Sequence, residues 1–135
     1  MAFAHEESAT TTATPGDVWA IWSQTATWPT WDPAVDSVDL PGEFVAGATG
    51  RMVLAGSMDV PLVLEVVEPG ARYQDRITVG ALTITIDHVV EATAEGSRIT
   101  VRTTVQGPGA EDVAPMIAQD APVALASLVA LAEGR

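Results

Sequence analysis

The sequence predicts an α+β fold: an antiparallel β-meander with one dry face, two short helices ahead of it, and a long C-terminal helix that covers the dry face. Three observations carry this. Turn residues at Pro69-Gly70, Gly80-Ala81 and Glu95-Gly96 cut residues 60–106 into strands. Counting outward from those turns sorts the side chains into an apolar and a polar face. Residues 112–133 then place apolar side chains at helical spacing. A chain of 135 residues suits a single domain, 1–135, with one hydrophobic core.

The elements follow in order. Residues 3–13, rich in threonine and alanine, form the first strand and end at Ala13-Thr14-Pro15-Gly16-Asp17, where proline and an acid in the first turn start a helix. Val18, Trp19, Ile21 and Trp22 make that helix short and apolar. Trp28-Pro29-Thr30-Trp31-Asp32-Pro33 holds too much proline for a long helix and reads as a second helical turn leading into a strand at Val35.

Two-residue loops at the three later turns set the register. Val66 then faces Tyr73, Leu64 faces Asp75 and Leu62 faces Ile77; Ile77 faces Ile84, Asp75 faces Ile86 and Tyr73 faces His88; His88 faces Thr103 and Val90 faces Val101. The dry face so defined carries Leu62, Leu64, Val66, Ile77, Ile84, Ile86, Val90, Ile99 and Val101, while Arg72, Arg76, Asp87, Glu91, Arg98 and Arg102 fall on the wet one. For the covering helix, Val113, Met116, Ile117, Val123, Ala124, Leu128 and Leu131 supply the apolar stripe and Gly134 the stop. Pro115 fits the first turn, and Pro122 is expected to kink or interrupt the helix.

Composition narrows the function. Eighteen acidic residues stand against six arginines and no lysine, a formal charge of -12. Such a field repels phosphate backbones and anionic headgroups, which argues against nucleic-acid and membrane partners. No cysteine is present, which excludes disulfides, thiolate metal sites and cysteine nucleophiles. No apolar run approaches the roughly 20 residues of a membrane span, and Met1-Ala2-Phe3-Ala4-His5-Glu6-Glu7 lacks the pattern of a signal peptide, so a cytoplasmic location is expected.

Local motifs now resemble a family. Ala13-Thr14-Pro15-Gly16-Asp17-Val18-Trp19 resembles the strand-to-helix entry A-x-P-x-x-V-W of the polyketide cyclase/dehydrase-related (SRPBCC) branch of the START-like helix-grip superfamily. Trp28-Pro29-Thr30-Trp31-Asp32-Pro33-Ala34-Val35 resembles its W-P-x-W-x-P-x-V segment, and Gly47-Ala48-Thr49-Gly50, Glu65-Val66-Val67-Glu68-Pro69 and Ala126–Leu131 continue the likeness along the chain. The resemblance implies a curved antiparallel sheet of about six to seven strands wrapped around the long helix, with a cavity between them. It also turns Phe3, His5, Glu7, Ala9 and Thr11 inward, which makes Glu7 a candidate ligand contact. The superfamily includes lipid and hormone carriers and ring-closing enzymes, and it carries no universal catalytic signature.

The register isolates a polar island of Tyr73, Asp75, His88 and Thr103 on the dry face. Asp75 is the diagonal neighbour of His88, about 7–8 Å between backbones. A buried carboxylate there orients the imidazole for proton transfer, and Tyr73 binds an enolate or carbonyl oxygen. His88, Asp75 and Tyr73 are therefore the candidate catalytic residues, and the same group read without turnover is a set of mutually satisfied buried polar groups. Trp28, Trp31, Glu7, Thr103, Ile86 and Met116 are the candidate ligand contacts, with the tryptophans able to stack on a planar molecule. No ligand pair has metal-site spacing, and neither a metal nor a cofactor is expected. Three readings stay open: a monomeric or homodimeric binder of a small hydrophobic or aromatic molecule, a cyclase or dehydratase using lyase- or isomerase-type acid/base chemistry, and an interaction or stress-related module with a filled core.

Overall fold

Side chains of the first strand, β1 (Ala2–Thr11), alternate strictly between exposed and sheltered, with Phe3, His5, Glu7, Ala9 and Thr11 on the sheltered side. The computed structural model describes residues 2–135. Thr14 ends the strand and begins α1 (Pro15–Trp22) with a capping box: its side chain accepts from the Asp17 backbone N–H, and the Asp17 carboxylate accepts from the Thr14 N–H. A 3₁₀ turn and the four-residue α2 (Trp28–Trp31) follow. The chain then runs through β2 (Val35–Asp39), β3 (Thr49–Leu54), β4 (Met58–Glu68), β5 (Arg72–Val79), β6 (Leu82–Thr93) and β7 (Gly96–Gln106).

The seven strands form one antiparallel sheet in the order β1-β7-β6-β5-β4-β3-β2, so every neighbour but one is also a sequence neighbour. Its inner face carries Leu62, Leu64, Tyr73, Ile77, Val90 and Ile99, all buried. A 3₁₀ turn at Ala110–Val113 leads into α3 (Ala114–Ala132), which closes that face with Leu125 and Leu128. Glu133 ties the end of this helix to the end of β1, accepting from the Thr11 hydroxyl at 2.6 Å and the Thr12 N–H at 3.3 Å. Gly134, at φ 77°, then terminates the helix as its position predicts.

Two hairpins depart from expectation, β4–β5 in loop length and β6–β7 in the position of its two-residue loop. The β4–β5 turn bonds Ala71 N–H to the Glu68 carbonyl and pairs Glu68 with Arg72, so its loop holds three residues instead of two. A bulge between Leu64 and Val66 restores the count, leaving Leu64 opposite Asp75 and Leu62 opposite Ile77. Val67, not Val66, therefore faces Tyr73 and packs on the core, while Val66 pairs with the outward Gln74. In the β6–β7 hairpin Thr93 pairs with Gly96, so the loop is Ala94-Glu95. His88 accordingly stands opposite Val101, Val90 opposite Ile99, and Thr103 opposite Ile86. A two-residue slip keeps every side chain on its own face, which is why face sorting was blind to it.

Position 96 requires glycine for a steric reason: a Cβ there would sit 2.2 Å from the Thr11 carbonyl oxygen, because β1 ends against it. The closing helix differs from expectation too. It runs through Pro122 without interruption, with Ala118, whose carbonyl loses its donor, on the exposed side. Its buried stripe uses Leu125 and Leu128, whereas Val123 and Leu131 are 51% and 40% exposed. Contrary to the expectation that no apolar run approaches a membrane span, Ala110–Ala132 is long and apolar enough, at a mean hydropathy of 1.5, to cross a membrane by length and composition. Here it lies along β1 and against α1 and α2.

Candidate functional site

Between the inner face of the sheet and α3 lies a cavity of about 360 Å³. Ile77, Ile84, Ile86 and Val101 form its floor, Ala124, Leu125 and Leu128 its roof, and Trp22, Trp28 and Trp31 its wall. Met58 and Met116 line it while 46% and 57% exposed, which places both at its rim. The tryptophan wall follows from the short helices. Pro15 and Pro29 stand in the first turns of α1 and α2, where proline starts a helix, Pro33 bars α2 from running on past Asp32, and the two short helices stack their rings against the sheet. Trp28 donates its indole N–H to the Trp22 carbonyl at 2.9 Å and stacks on Tyr73, with centroids 5.7 Å apart.

The polar island is present on the inner face. Tyr73, Asp75, His88 and Thr103 are 0%, 3%, 5% and 6% exposed, and all four line the cavity. Tyr73 and His88, direct cross-strand partners, stack ring on ring with centroids 4.0 Å apart and 7° between planes. His88 Nδ1 lies 3.3 Å from the Tyr73 carbonyl, an acceptor only, so Nδ1 carries the proton and Nε2 is the free base. Burial pushes the His88 pKa down to about 3, against hydrogen bonds to the backbone of Tyr73 and Ile86 that favour protonation. The ring is neutral at ordinary pH.

Asp75 does not orient that ring. The two residues share no hydrogen bond, and Asp75 Oδ1 has no partner. Burial, then the charge of Asp32, raises the Asp75 carboxyl to about 8. Tyr73 Oη and the indole N–H groups of Trp22 and Trp31 are likewise buried and unpartnered. Burial, followed by Asp75 and Asp32, pushes the Tyr73 phenol well above its usual range. Four orphaned polar atoms on one cavity wall are costly unless something else bonds them.

Two acids of the lining escaped the sequence reading. Asp32, at the end of α2, accepts from the Ala34 N–H at 2.9 Å. Its carboxyl is raised by burial, opposed by that hydrogen bond and assisted by Asp120. Asp120 sits on α3 between Met116 and Ala124, and one polar residue inside an apolar helical stripe was the signal available for it. Of the ligand candidates, Trp28, Trp31, Ile86, Thr103 and Met116 line the cavity. Glu7 lies outside that lining, its carboxylate 2.8 Å from His5 Nε2. Thr103 stands between Ile86 on β6 and His5 on β1.

The chain matches the family described as polyketide cyclase / dehydrase and lipid transport over residues 3–133. It belongs to that family. Among curated proteins none matches in sequence. Among solved structures, the crystal structure of Ara h 8.0201 is 17% identical with a TM-score of 0.78, each chain fully covered. The di-domain ARO/CYC StfQ from the steffimycin biosynthetic pathway is 16% identical with a TM-score of 0.82, this chain covering 52% of it. Protein MLL2253 from Mesorhizobium loti is 12% identical with a TM-score of 0.84, 97% of each chain being covered. At these identities the likeness establishes the helix-grip fold common to the family.

Proposed function

We propose that the protein binds a small, mostly apolar, ring-containing molecule between the sheet and α3. The observation that carries this reading is the cavity of about 360 Å³, apolar in the main, whose wall leaves Tyr73 Oη, Asp75 Oδ1 and two indole N–H groups without partners. That volume falls in the range of sites for small organic ligands, and a few convergent polar groups on an apolar wall are their usual pattern. The polyketide cyclase and lipid-transport description of the family, and the place of the structurally similar ARO/CYC StfQ in a biosynthetic pathway, fit a ring or chain of this kind. Native mass spectrometry of freshly purified protein, with titration of the uncharged fluorophore N-phenylnaphthylamine, tests it. A retained small molecule or saturable fluorescence enhancement is expected, and Trp31→Ala weakens the binding. An empty protein that leaves the fluorophore dark ends the proposal.

A second reading, a cyclase or dehydratase, draws on the opposed pKa values of Asp75 and His88. A carboxyl held protonated to about 8 serves as a general acid at neutral pH. An imidazole depressed to about 3 is a weak base, and its Nδ1 is engaged with backbone instead of Asp75. Binding is therefore the leading reading. In the catalytic version Asp75→Asn and His88→Ala each abolish turnover of a polyketide-like substrate, and full activity in both removes it.

A further inference from the structure

The ionisable side chains in the cavity wall bias it towards one sign of charge. Asp32, Asp75 and Asp120 line it from α2, β5 and α3, whereas none of the six arginines does and the chain has no lysine. Five of those arginines pair elsewhere: Arg51 with Asp59, Arg72 with Asp87, Arg76 with Glu65, Arg102 with Glu6 and Arg135 with Glu133. Asp75 is only 3% exposed, and its Oδ1 has no bond to protein. Beyond the effect of burial, Asp32 raises Asp75 and Asp120 raises Asp32, so the acids repel in these two pairs, and no arginine stands in the lining to offset them.

A positive charge on the ligand resolves that arrangement, and an aromatic wall accepts one on its ring faces. We infer that the cavity takes a protonated organic amine carried on an aromatic ring skeleton, the rings against Trp28 and Trp31 and the ammonium at Asp75, on the side of Asp32. This rests on the binding reading above and names its ligand class. A metal ion is the poorer fit, because among the described residues no group of three or more His, Asp or Glu is arranged to hold one. An anionic ligand meets only like charge in the wall, and the -12 of the whole chain draws cations towards it. Asp32, Tyr73 and His88 are the titratable groups around Asp75, and none of them supplies a positive charge at neutral pH. Arrival of the ammonium therefore drives the Asp75 proton into solvent.

Displacement of bound N-phenylnaphthylamine by naphthylethylamine, naphthylethanol and naphthylacetate at neutral pH provides the test, because the three differ mainly in charge. The amine is expected to bind about tenfold more tightly than the alcohol, with the acetate weakest. In Asp32→Asn and Asp75→Asn the ratio of amine to alcohol affinity falls to within about twofold. Calorimetry in buffers of different protonation enthalpy reports proton release with the amine and none with the alcohol. Equal or tighter binding of the alcohol or acetate overturns the inference, as does an amine that fails to displace the reporter, a preference that survives in both variants, or proton release that does not distinguish the two. If the protein purifies empty and the reporter does not bind, the binding reading fails first and this inference with it.

Discussion

Burial acts on Asp75 and His88 in opposite senses, and folding stability records both. Between 3.8 and about 8 the unfolded chain has lost the Asp75 proton that the folded protein keeps, so raising the pH disfavours folding across that window. Between about 3 and 6.5 the unfolded chain binds a proton that folded His88 refuses, so raising the pH favours folding there. The two oppose each other up to 6.5, and above it Asp75 acts alone. The urea midpoint is expected to fall between pH 6.5 and 8, and Asp75→Asn to remove most of that slope. A wild-type midpoint that is flat there would show Asp75 already ionised in the folded state. Trp31 offers a second check. Trp31→Phe keeps an aromatic ring and deletes the unpartnered Nε1–H, so affinity for naphthylethanol, which carries an acceptor oxygen, is expected to fall by about 0.5–1.5 kcal/mol relative to the reporter, with thermal stability held or raised. Residue by residue, much of the cavity wall was legible: Tyr73, Asp75, His88 and Thr103 stood out as polar positions on an apolar face. Asp32 was not, because it sits at a helix end where no periodicity applies, and the choice of His88 Nδ1 for backbone over Asp75 depends on ring orientation that spacing does not set.

At the scale of elements, turns governed what was readable. The Gly80-Ala81 hairpin pairs Val79 with Leu82, as a two-residue loop requires, and every β5–β6 partner follows from it. In the neighbouring hairpin an extra loop residue and a bulge cancelled, so the expected inward positions on β4 and β5 came out right despite a wrong loop length, Val66 being the exception. Sequence patterning constrains which face a residue takes far more tightly than which partner it meets, since the side-chain period is two. Gly96 is the position where the β6–β7 turn touches another element. Gly96→Ala is expected to destabilise the protein by about 1–3 kcal/mol or more, because the Thr11-Thr12 backbone lies under 3 Å from the added carbon. A urea midpoint unchanged in that variant would mean that β1 yields easily at its end. Gly80→Ala provides the contrast: nothing lies within 4 Å of its Cβ, and its loss is confined to the backbone strain of φ 60°.

For the whole molecule, an excess of twelve negative charges on 135 residues makes self-repulsion a general term against compactness. Added sodium chloride shortens the reach of that repulsion to about 8 Å at 0.15 M. The melting temperature is therefore expected to rise with salt in the range where screening develops, and a temperature that stays constant or falls would show that the outer-face ion pairs outweigh the net charge.

The strand order carries one more consequence. Ala2 pairs with Gln106 and Thr11 with Ser97, so β1 finds its partner only when a segment about a hundred residues further along has been synthesised. Until then it is unpaired, and its Thr, Ser, Glu and His give it little to aggregate with. Docking of the final helix onto β1 through Glu133 comes later still, at the last turn of the chain. Nascent chains truncated before β7 should consequently remain protease-sensitive along their whole length, and the protein should acquire resistance in one late step.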